Sequence, residues 1–370
     1  MFSSRISKLN PYVPGEQPKD RTYIKLNANE NPYSPSPKVI DAVQSFILSQ
    51  AEKLALYPDP DSTELRKAIA FHLNATGGCM NKISPLSNPI SPEMIFCGNG
   101  SDEVLSFIFY TFFDTDKPLI APLHTYSFYP VYCGFYGIPL KTVDLKSDFT
   151  LDVEKMLYEA NENSTGMIFA NPNAPTSLAL SVEQVRQMLK KYPSDKVFVV
   201  DEAYVDFATE SCLSLLAEFK NLVIVRTFSK SLCGAGMRLG YCVAHPELIK
   251  TILTVKNSFN HFPVDALTQV AGMAACFDTD YYIQCTKKVV SSRENFERFL
   301  SEYGWDFYSS KTNFVLAKKL GFSGEEIYQR IKKDGILVRH FSTPQITDYV
   351  RITIGTDEQM NALIESMKKI

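Results

Sequence analysis

The sequence predicts an α/β fold: a mainly parallel seven-stranded sheet in a three-layer large domain, completed by a smaller α+β domain. Three observations carry this. Between about residues 95 and 245, short apolar runs alternate with helical patterns, the mark of a parallel sheet wrapped by helices. Several runs, Val197–Val200 among them, are apolar at successive positions, as expected of strands covered on both faces. The length of 370 residues also exceeds what one hydrophobic core usually organises, so two lobes are expected.

In chain order, residues 1–40 hold no complete domain and read as an arm between lobes, although Lys25–Asn29 suits a strand of the second lobe. The large domain is expected over 41–270, with strands at Met94–Cys97, Pro118–Ala121, Lys141–Leu145, Gly166–Ala170, Lys196–Val200, Leu222–Thr227 and Tyr241–Ala244. Ser181, with Glu183 and then Val185, Met188 and Leu189, marks a capped crossover helix. The longest apolar stretch, Val104–Phe113, reads as a buried helix, far short of the roughly 20 residues of a membrane span. Residues 271–370, with the arm, form the expected small domain: a long helix over Tyr281–Tyr303, then strands at Asn313–Ala317, Ile336–Phe341 and Tyr349–Ile354.

Composition narrows the function. A net charge of -3 with 21% charged residues gives no basic footprint for nucleic acid, so the expected partner is a small molecule. No apolar core follows Arg5 and Lys8, so no signal peptide is visible and the cytoplasm is the simplest location. The eight cysteines form no CxxC pair and have no close histidine, so they are expected to be buried thiols and no metal site is expected.

Loops at the carboxyl edge of a parallel sheet form the ligand crevice, and four predicted strands end in chemically useful residues. Gly98-Asn99-Gly100-Ser101-Asp102-Glu103 is a glycine-rich turn opening a helix, where free N–H groups and the helix dipole suit a phosphate; alone it reads equally as a tight turn with a cap. Asn171-Pro172-Asn173-Ala174-Pro175-Thr176 places an amide at a strand end. Asp201-Glu202-Ala203-Tyr204 puts a carboxylate directly after four apolar residues, where it either orders its loop or meets the ring nitrogen of a pyridine cofactor. Thr227-Phe228-Ser229-Lys230 sets an amine beside a hydroxyl, a nucleophile toward a carbonyl. Eight positions on, in a stretch of small residues, Arg238 offers a two-point clamp for phosphate oxygens, or a surface ion pair.

Taken in order, these motifs resemble those of the fold-type-I aminotransferases, which depend on pyridoxal 5'-phosphate. Within that group the chain looks most like the histidinol-phosphate aminotransferases, sharing Pro11-Tyr12, Leu26-Asn27-Ala28-Asn29-Glu30-Asn31-Pro32 and Tyr57-Pro58-Asp59-Pro60. The resemblance implies that Lys230 carries the cofactor as a Schiff base and moves the proton. It implies Asp201 on the pyridine nitrogen, Asn173 and Tyr204 on the phenolic oxygen, and Tyr126 stacked on the ring. Ser101, Asp102, Ser229 and Arg238 are implied at the phosphate, and Tyr57 at the phosphate of a partner subunit's cofactor, hence a homodimer. Substrate anchors are implied at Arg351 for the donor carboxylate and at Arg339 with Tyr12 for a phosphate, with Asn29 also at the substrate.

The implied reaction is transamination between glutamate/2-oxoglutarate and histidinol phosphate/imidazole acetol phosphate, a step of histidine biosynthesis. On the same motifs an aromatic-amino-acid aminotransferase, a threonine-phosphate decarboxylase and a cofactor-binding regulator remain as alternatives. Ala174 stands where the family usually has asparagine, and Ser177 where it has glycine; neither is expected to remove a catalytic group. Ser231-Leu232-Cys233 also departs from the commoner small apolar sequence, which bears on substrate choice.

Overall fold

The computed structural model of the chain describes residues 2–13 and 15–370. The chain opens with β1 (Ile24–Lys25), α1 (Pro37–Ser49) and α2 (Thr63–Thr76). The alternating region then follows: β2 (Ile95–Asn99), α3 (Gly100–Phe112), β3 (Leu119–Pro122), α4 (Tyr129–Tyr136), β4 (Leu140–Val143), α5 (Val153–Glu159) and β5 (Gly166–Ala170). It continues through α6 (Val182–Lys191), β6 (Phe198–Asp201), β7 (Leu222–Thr227), β8 (Leu239–Ala244), α7 (Pro246–Phe259) and α8 (Ala266–Phe277). The remainder comprises α9 (Thr279–Glu302), β9 (Trp305–Phe307), β10 (Phe314–Lys319), α10 (Gly324–Lys333), β11 (Ile336–Leu337), β12 (Arg339–His340), β13 (Val350–Thr353) and α11 (Asp357–Met367).

The large sheet has seven strands in the order β2-β8-β7-β6-β5-β3-β4. Only β8 runs against its neighbours, pairing antiparallel with both β2 and β7. Alternate residues of one strand enter different cores: Leu222 and Ile224 pack on one face of the sheet, Val223 and Val225 on the other. That two-faced burial is why these strands read as unbroken apolar runs, and it produces the expected three layers.

In the second lobe β12-β13-β10-β9 form a four-stranded sheet, and β1 pairs in parallel with β11. The strand expected over Ile336–Phe341 is therefore divided, its first half pairing with the N-terminal arm and its second half with β13. Three-residue β9 went unpredicted because Trp-Asp-Phe is too short to show a period. Helix α6 does begin at Ser181, but the reciprocal capping partner is Gln184, not Glu183, because the third helical residue is the one that reaches back. Around the expected boundary at residue 270, Ala271, Ala275 and Cys276 of α8 lie in the large-lobe core. Helix α9 starts there with Tyr282 and Ile283 and ends in the small-lobe core with Phe296 and Leu300.

All eight cysteines are free, seven buried and Cys233 half-buried. Among the described residues no helix is long and apolar enough to cross a membrane.

One glycine couples the sheet to the site. A Cβ on Gly240 of β8 would lie 2.2 Å from the Ser101 nitrogen at the start of α3. Backbone cannot yield as a flexible side chain does, so Gly240→Ala is expected to cost about 2 kcal/mol or more by overpacking. Thermal melting checks this; an unchanged Tm would show that the helix start has room to move.

Candidate active site

Two cavities meet where β5, β6 and β7 end at the carboxyl edge of the sheet. The smaller, about 370 Å³, is lined by Ser101, Asp102, Asp201, Ser229, Lys230 and Arg238 among others. The larger, about 400 Å³, is lined by Tyr12, Asn29, His124, Phe341, Arg339 and Arg351 among others. Tyr126, Ala174, Tyr204 and Lys230 line both, so the lysine stands at the junction.

One end of the smaller cavity is built for an anion. Helix α3 starts directly after β2, and Asn99 gives it no side-chain cap. Its first N–H groups and the positive end of its dipole are left to a ligand. Gly100, at φ 74°, allows close approach: a Cβ there would lie 2.6 Å from Arg238 Nη2. Arg238 Nη2 donates to Asp102 Oδ2 at 3.1 Å, and Tyr126 Oη donates to Asp102 Oδ1 at 2.8 Å. The arginine and aspartate are both close to half exposed, so their pairing adds little stability and leaves the guanidinium open to a stronger anion. Buried Ser229 accepts from Thr227 Oγ1 at 3.0 Å, which leaves its own proton to donate.

The same cavity carries a buried acid. Asp201 closes β6 at 4% exposure; its Oδ2 accepts from Tyr129 Oη at 2.9 Å and its Oδ1 from the Ala203 N–H at 3.1 Å. Burial pushes its pKa up to about 6 against the lowering pull of those two bonds. Along the wall, Tyr204 Oη accepts from Asn29 Nδ2 at 2.9 Å, so its own proton is unspent. Lys230 Nζ sits 5.5 Å from the Tyr204 ring centroid. Asn31 Nδ2 donates to the lysine's carbonyl at 2.9 Å, and the side chain of the next residue is fixed as Ser231 Oγ donates to Asp206 Oδ2 at 2.5 Å.

In the larger cavity, Arg339 and Arg351 face each other across the β12–β13 ladder. Two cations in register repel. Among the described residues no carboxylate pairs with either. Arg351 Nε has no partner at all, while Nη2 donates to the Asn27 carbonyl at 3.2 Å. Burial, with Arg339 beside it, holds the Arg351 pKa below the usual guanidinium range. Such a pair suits an anionic ligand. Tyr12, ring to ring with Phe128 at 5.5 Å, stands on the same cavity.

Of the residues singled out in the sequence, two are not brought to a cavity wall. Asn173 is buried behind the loop at His124, and the neighbouring Ala174 lines both cavities instead. Tyr57 is 83% exposed and stacks on Phe262, outside both cavities of this chain. Conversely, Tyr129 and His124 were not singled out in the sequence, and Asn31 stood in a shared motif without a role. Each acts across the fold on a residue far away in the chain, and only the run of aromatics around Tyr126 hinted at Tyr129.

The donor set fits pyridoxal phosphate: an uncapped helix start, Ser229 and Arg238 for a phosphate, a buried carboxylate for a ring nitrogen, a tyrosine with a free proton for a phenolic oxygen, and an amine for the aldehyde. Comparison with known proteins agrees. The model of the family "Aminotransferase class I and II" matches residues 21–367. The histidinol-phosphate aminotransferase of Syntrophus aciditrophicus is 45% identical over 371 residues, covering 100% of this chain and 98% of that one. That of Acinetobacter baumannii is 44% identical over 368 residues, covering 100% and 96%. Among solved structures, histidinol-phosphate aminotransferase from Sinorhizobium meliloti in complex with pyridoxal-5'-phosphate superposes with a TM-score of 0.81 at 27% identity, covering 94% of this chain and 92% of that one. An aspartate aminotransferase of Thermus thermophilus shares the fold, with a TM-score of 0.81 at 19% identity and coverage of 100% and 99%. Over its whole length the chain belongs to the class I and II aminotransferases and, within them, to the histidinol-phosphate aminotransferases.

Proposed function

We propose that the chain moves an amino group between glutamate and imidazole acetol phosphate, giving 2-oxoglutarate and histidinol phosphate in histidine biosynthesis, with pyridoxal phosphate held at Lys230. The observation that carries the substrate reading is the pair Arg339 and Arg351, unpaired by acid and opening onto Lys230. An arginine pair suits a phosphate in one half-reaction and a carboxylate in the other, and the relatives' 44–45% identity supports that choice.

When bound, pyridoxal phosphate supplies a ring that accepts the electron pair released at the substrate's α-carbon. The chain's residues do the rest. Ser101 and Asp102 at the start of α3, with Ser229 and Arg238, hold the phosphate. Asp201, oriented by Tyr129, keeps a proton on the ring nitrogen, and Tyr126 covers the ring face. Tyr204 donates to the phenolic oxygen. Lys230, at the junction of the cavities, reaches both cofactor and substrate and carries the proton lost from the α-carbon. Asn29 orients Tyr204 beside the substrate. Arg351 takes the glutamate carboxylate, and Arg339 with Tyr12 takes the phosphate of the imidazole substrate.

The reading includes a homodimer. Ile47, Leu48, Leu54, Leu56 and Tyr57 are all exposed on one stretch of chain, and a second copy covering them would bring Tyr57 toward the partner's cofactor phosphate. It also includes a division at about residues 40 and 270 into large and small domains, and a cytoplasmic location, where eight free thiols suit a reducing compartment.

Half-reaction kinetics test the assignment. Arg351→Leu is expected to slow the glutamate half-reaction about 100-fold, and Arg339→Leu the histidinol-phosphate half-reaction by a similar factor, each sparing the other half more. Equal losses in both halves would make the arginines one shared anion site. Wild-type turnover of phenylalanine or tyrosine above that of histidinol phosphate, or carbon dioxide release from phosphothreonine, would sink the substrate assignment.

A further inference from the structure

Asn173 is 3% exposed, and its amide is fully committed. Nδ2 donates to the His124 carbonyl at 2.8 Å and to Thr176 Oγ1 at 2.9 Å, and Oδ1 accepts from Thr125 Oγ1 at 2.8 Å. A backbone carbonyl only accepts, so the amide nitrogen must face His124 and the partners settle the orientation of the group. A primary amide has two N–H donors. Both are spent, leaving none for an oxygen in either cavity.

Ala174 is the residue of this loop that lines both cavities, and a methyl group donates nothing. Tyr204 lines both as well, and Asn29 Nδ2 donates to its oxygen at 2.9 Å, which polarises the hydroxyl and frees its proton.

We propose that Asn173 is a positioning residue and not a cofactor ligand, and that Tyr204, backed by Asn29, is the side-chain donor to the cofactor's phenolic oxygen, Ala174 supplying none. The inference rests on reading the smaller cavity as the pyridoxal phosphate site. Asn173 acts through the loop at residues 124–126. By holding the His124 carbonyl and the Thr125 hydroxyl it sets the backbone from which Tyr126 reaches Asp102, and Asp102 in turn meets Arg238. Loss of the clamp loosens the ring-covering wall and the phosphate end together, yet leaves the charge on the phenolic oxygen as it was.

The experiment titrates the visible absorption of the reconstituted holoenzyme with pH and measures its cofactor dissociation constant. A donor draws charge from the phenolic oxygen and weakens its hold on the adjacent proton, so a lost donor raises the midpoint and a gained one lowers it. Tyr204→Phe is expected to raise the midpoint by about one unit, and Ala174→Asn to lower it by about as much. Asn173→Ala and Thr125→Val are expected to keep the wild-type midpoint within about 0.3 unit while weakening cofactor binding about 10-fold.

A midpoint in Asn173→Ala shifted as far as in Tyr204→Phe overturns the proposal, as does an unmoved midpoint in Ala174→Asn or wild-type cofactor affinity in Thr125→Val. Should Asn173→Ala fail to fold, Thr125→Val, which breaks the clamp and leaves Asn173 in place, carries the comparison. A wild-type protein that takes up no pyridoxal phosphate overturns the reading of the cavity and this inference together. Bound, titrating cofactor with the wrong pattern of shifts overturns this inference alone.

Discussion

Lys230→Ala is expected to reduce turnover about ten-thousand-fold or more and to remove the visible absorption that the lysine-bound cofactor gives the wild type. On the proposed reading two jobs are lost at once, attachment of the cofactor and carriage of the proton. The surroundings offer no replacement. The other amine on the cavity walls, Lys25, is paired with Glu30 at 2.8 Å and lines only the larger cavity. The bond from Asn31 to the Lys230 carbonyl holds the backbone, and that from Ser231 to Asp206 fixes the next side chain; neither supplies a second amine. Adding a small primary amine to the variant should restore part of the rate, because the missing group is then supplied without its tether. Single-turnover absorbance with glutamate measures all three effects, and a variant retaining more than about 1% of the wild-type rate would remove Lys230 from the proton transfer.

Asp201→Asn is expected to lower turnover about 100- to 1,000-fold while leaving the cofactor-free protein at least as stable as wild type. The sign follows from burial. In the cofactor-free chain the Asp201 pKa is raised from 3.8 to about 6, so the folded state resists ionisation. Its charge therefore costs stability once the pH exceeds the unfolded value, with the full cost present above about 6. In the proposed reading a cationic ring nitrogen beside the carboxylate offsets that cost, which suits a buried acid at this strand end to a bound cofactor. Asparagine keeps the shape and still accepts from Tyr129, but it carries no charge. The rise in Tm on adding pyridoxal phosphate should therefore shrink in the variant. In wild type the same rise should diminish as pH falls through about 6 and Asp201 takes up a proton; in Asp201→Asn that dependence should be absent. An equal, pH-dependent rise in both proteins would detach Asp201 from the cofactor.

How far the site is legible in the sequence depends on where each residue sits. Ser101, Asp201, Ser229 and Lys230 fall at the ends of strands whose apolar runs are long and covered on both faces, so counting to the end of a run finds them. The family order of motifs then supplies roles. Asn173 and Ala174 show the limit. The two residues are adjacent in a loop beyond β5, where no period applies, and the fold turns the alanine to the cavity and the amide to His124. Residue chemistry favours the polar member of the pair, but it carries no information on which way the loop turns. The sequence also placed Arg339 and Arg351 on strands, but their cross-strand register depends on the division of the segment at Ile336–His340 between two sheets.

By itself the sequence determined the fold class, the two-lobed plan and the residue types gathered at the strand ends, because burial on both faces of a parallel sheet writes itself as local apolar runs with chemistry at their ends. Tertiary structure decided which side chain of a loop faces the cavities, that Tyr129 orients Asp201, that Asn29 frees the proton of Tyr204, and that two arginines share one wall without a carboxylate among the described residues. The pairs lie 72 positions apart for Tyr129 and Asp201, 175 for Asn29 and Tyr204, and 12 for the arginines, which sit on two different strands. No local pattern encodes them, since each depends on where two separately folded segments come to rest against each other.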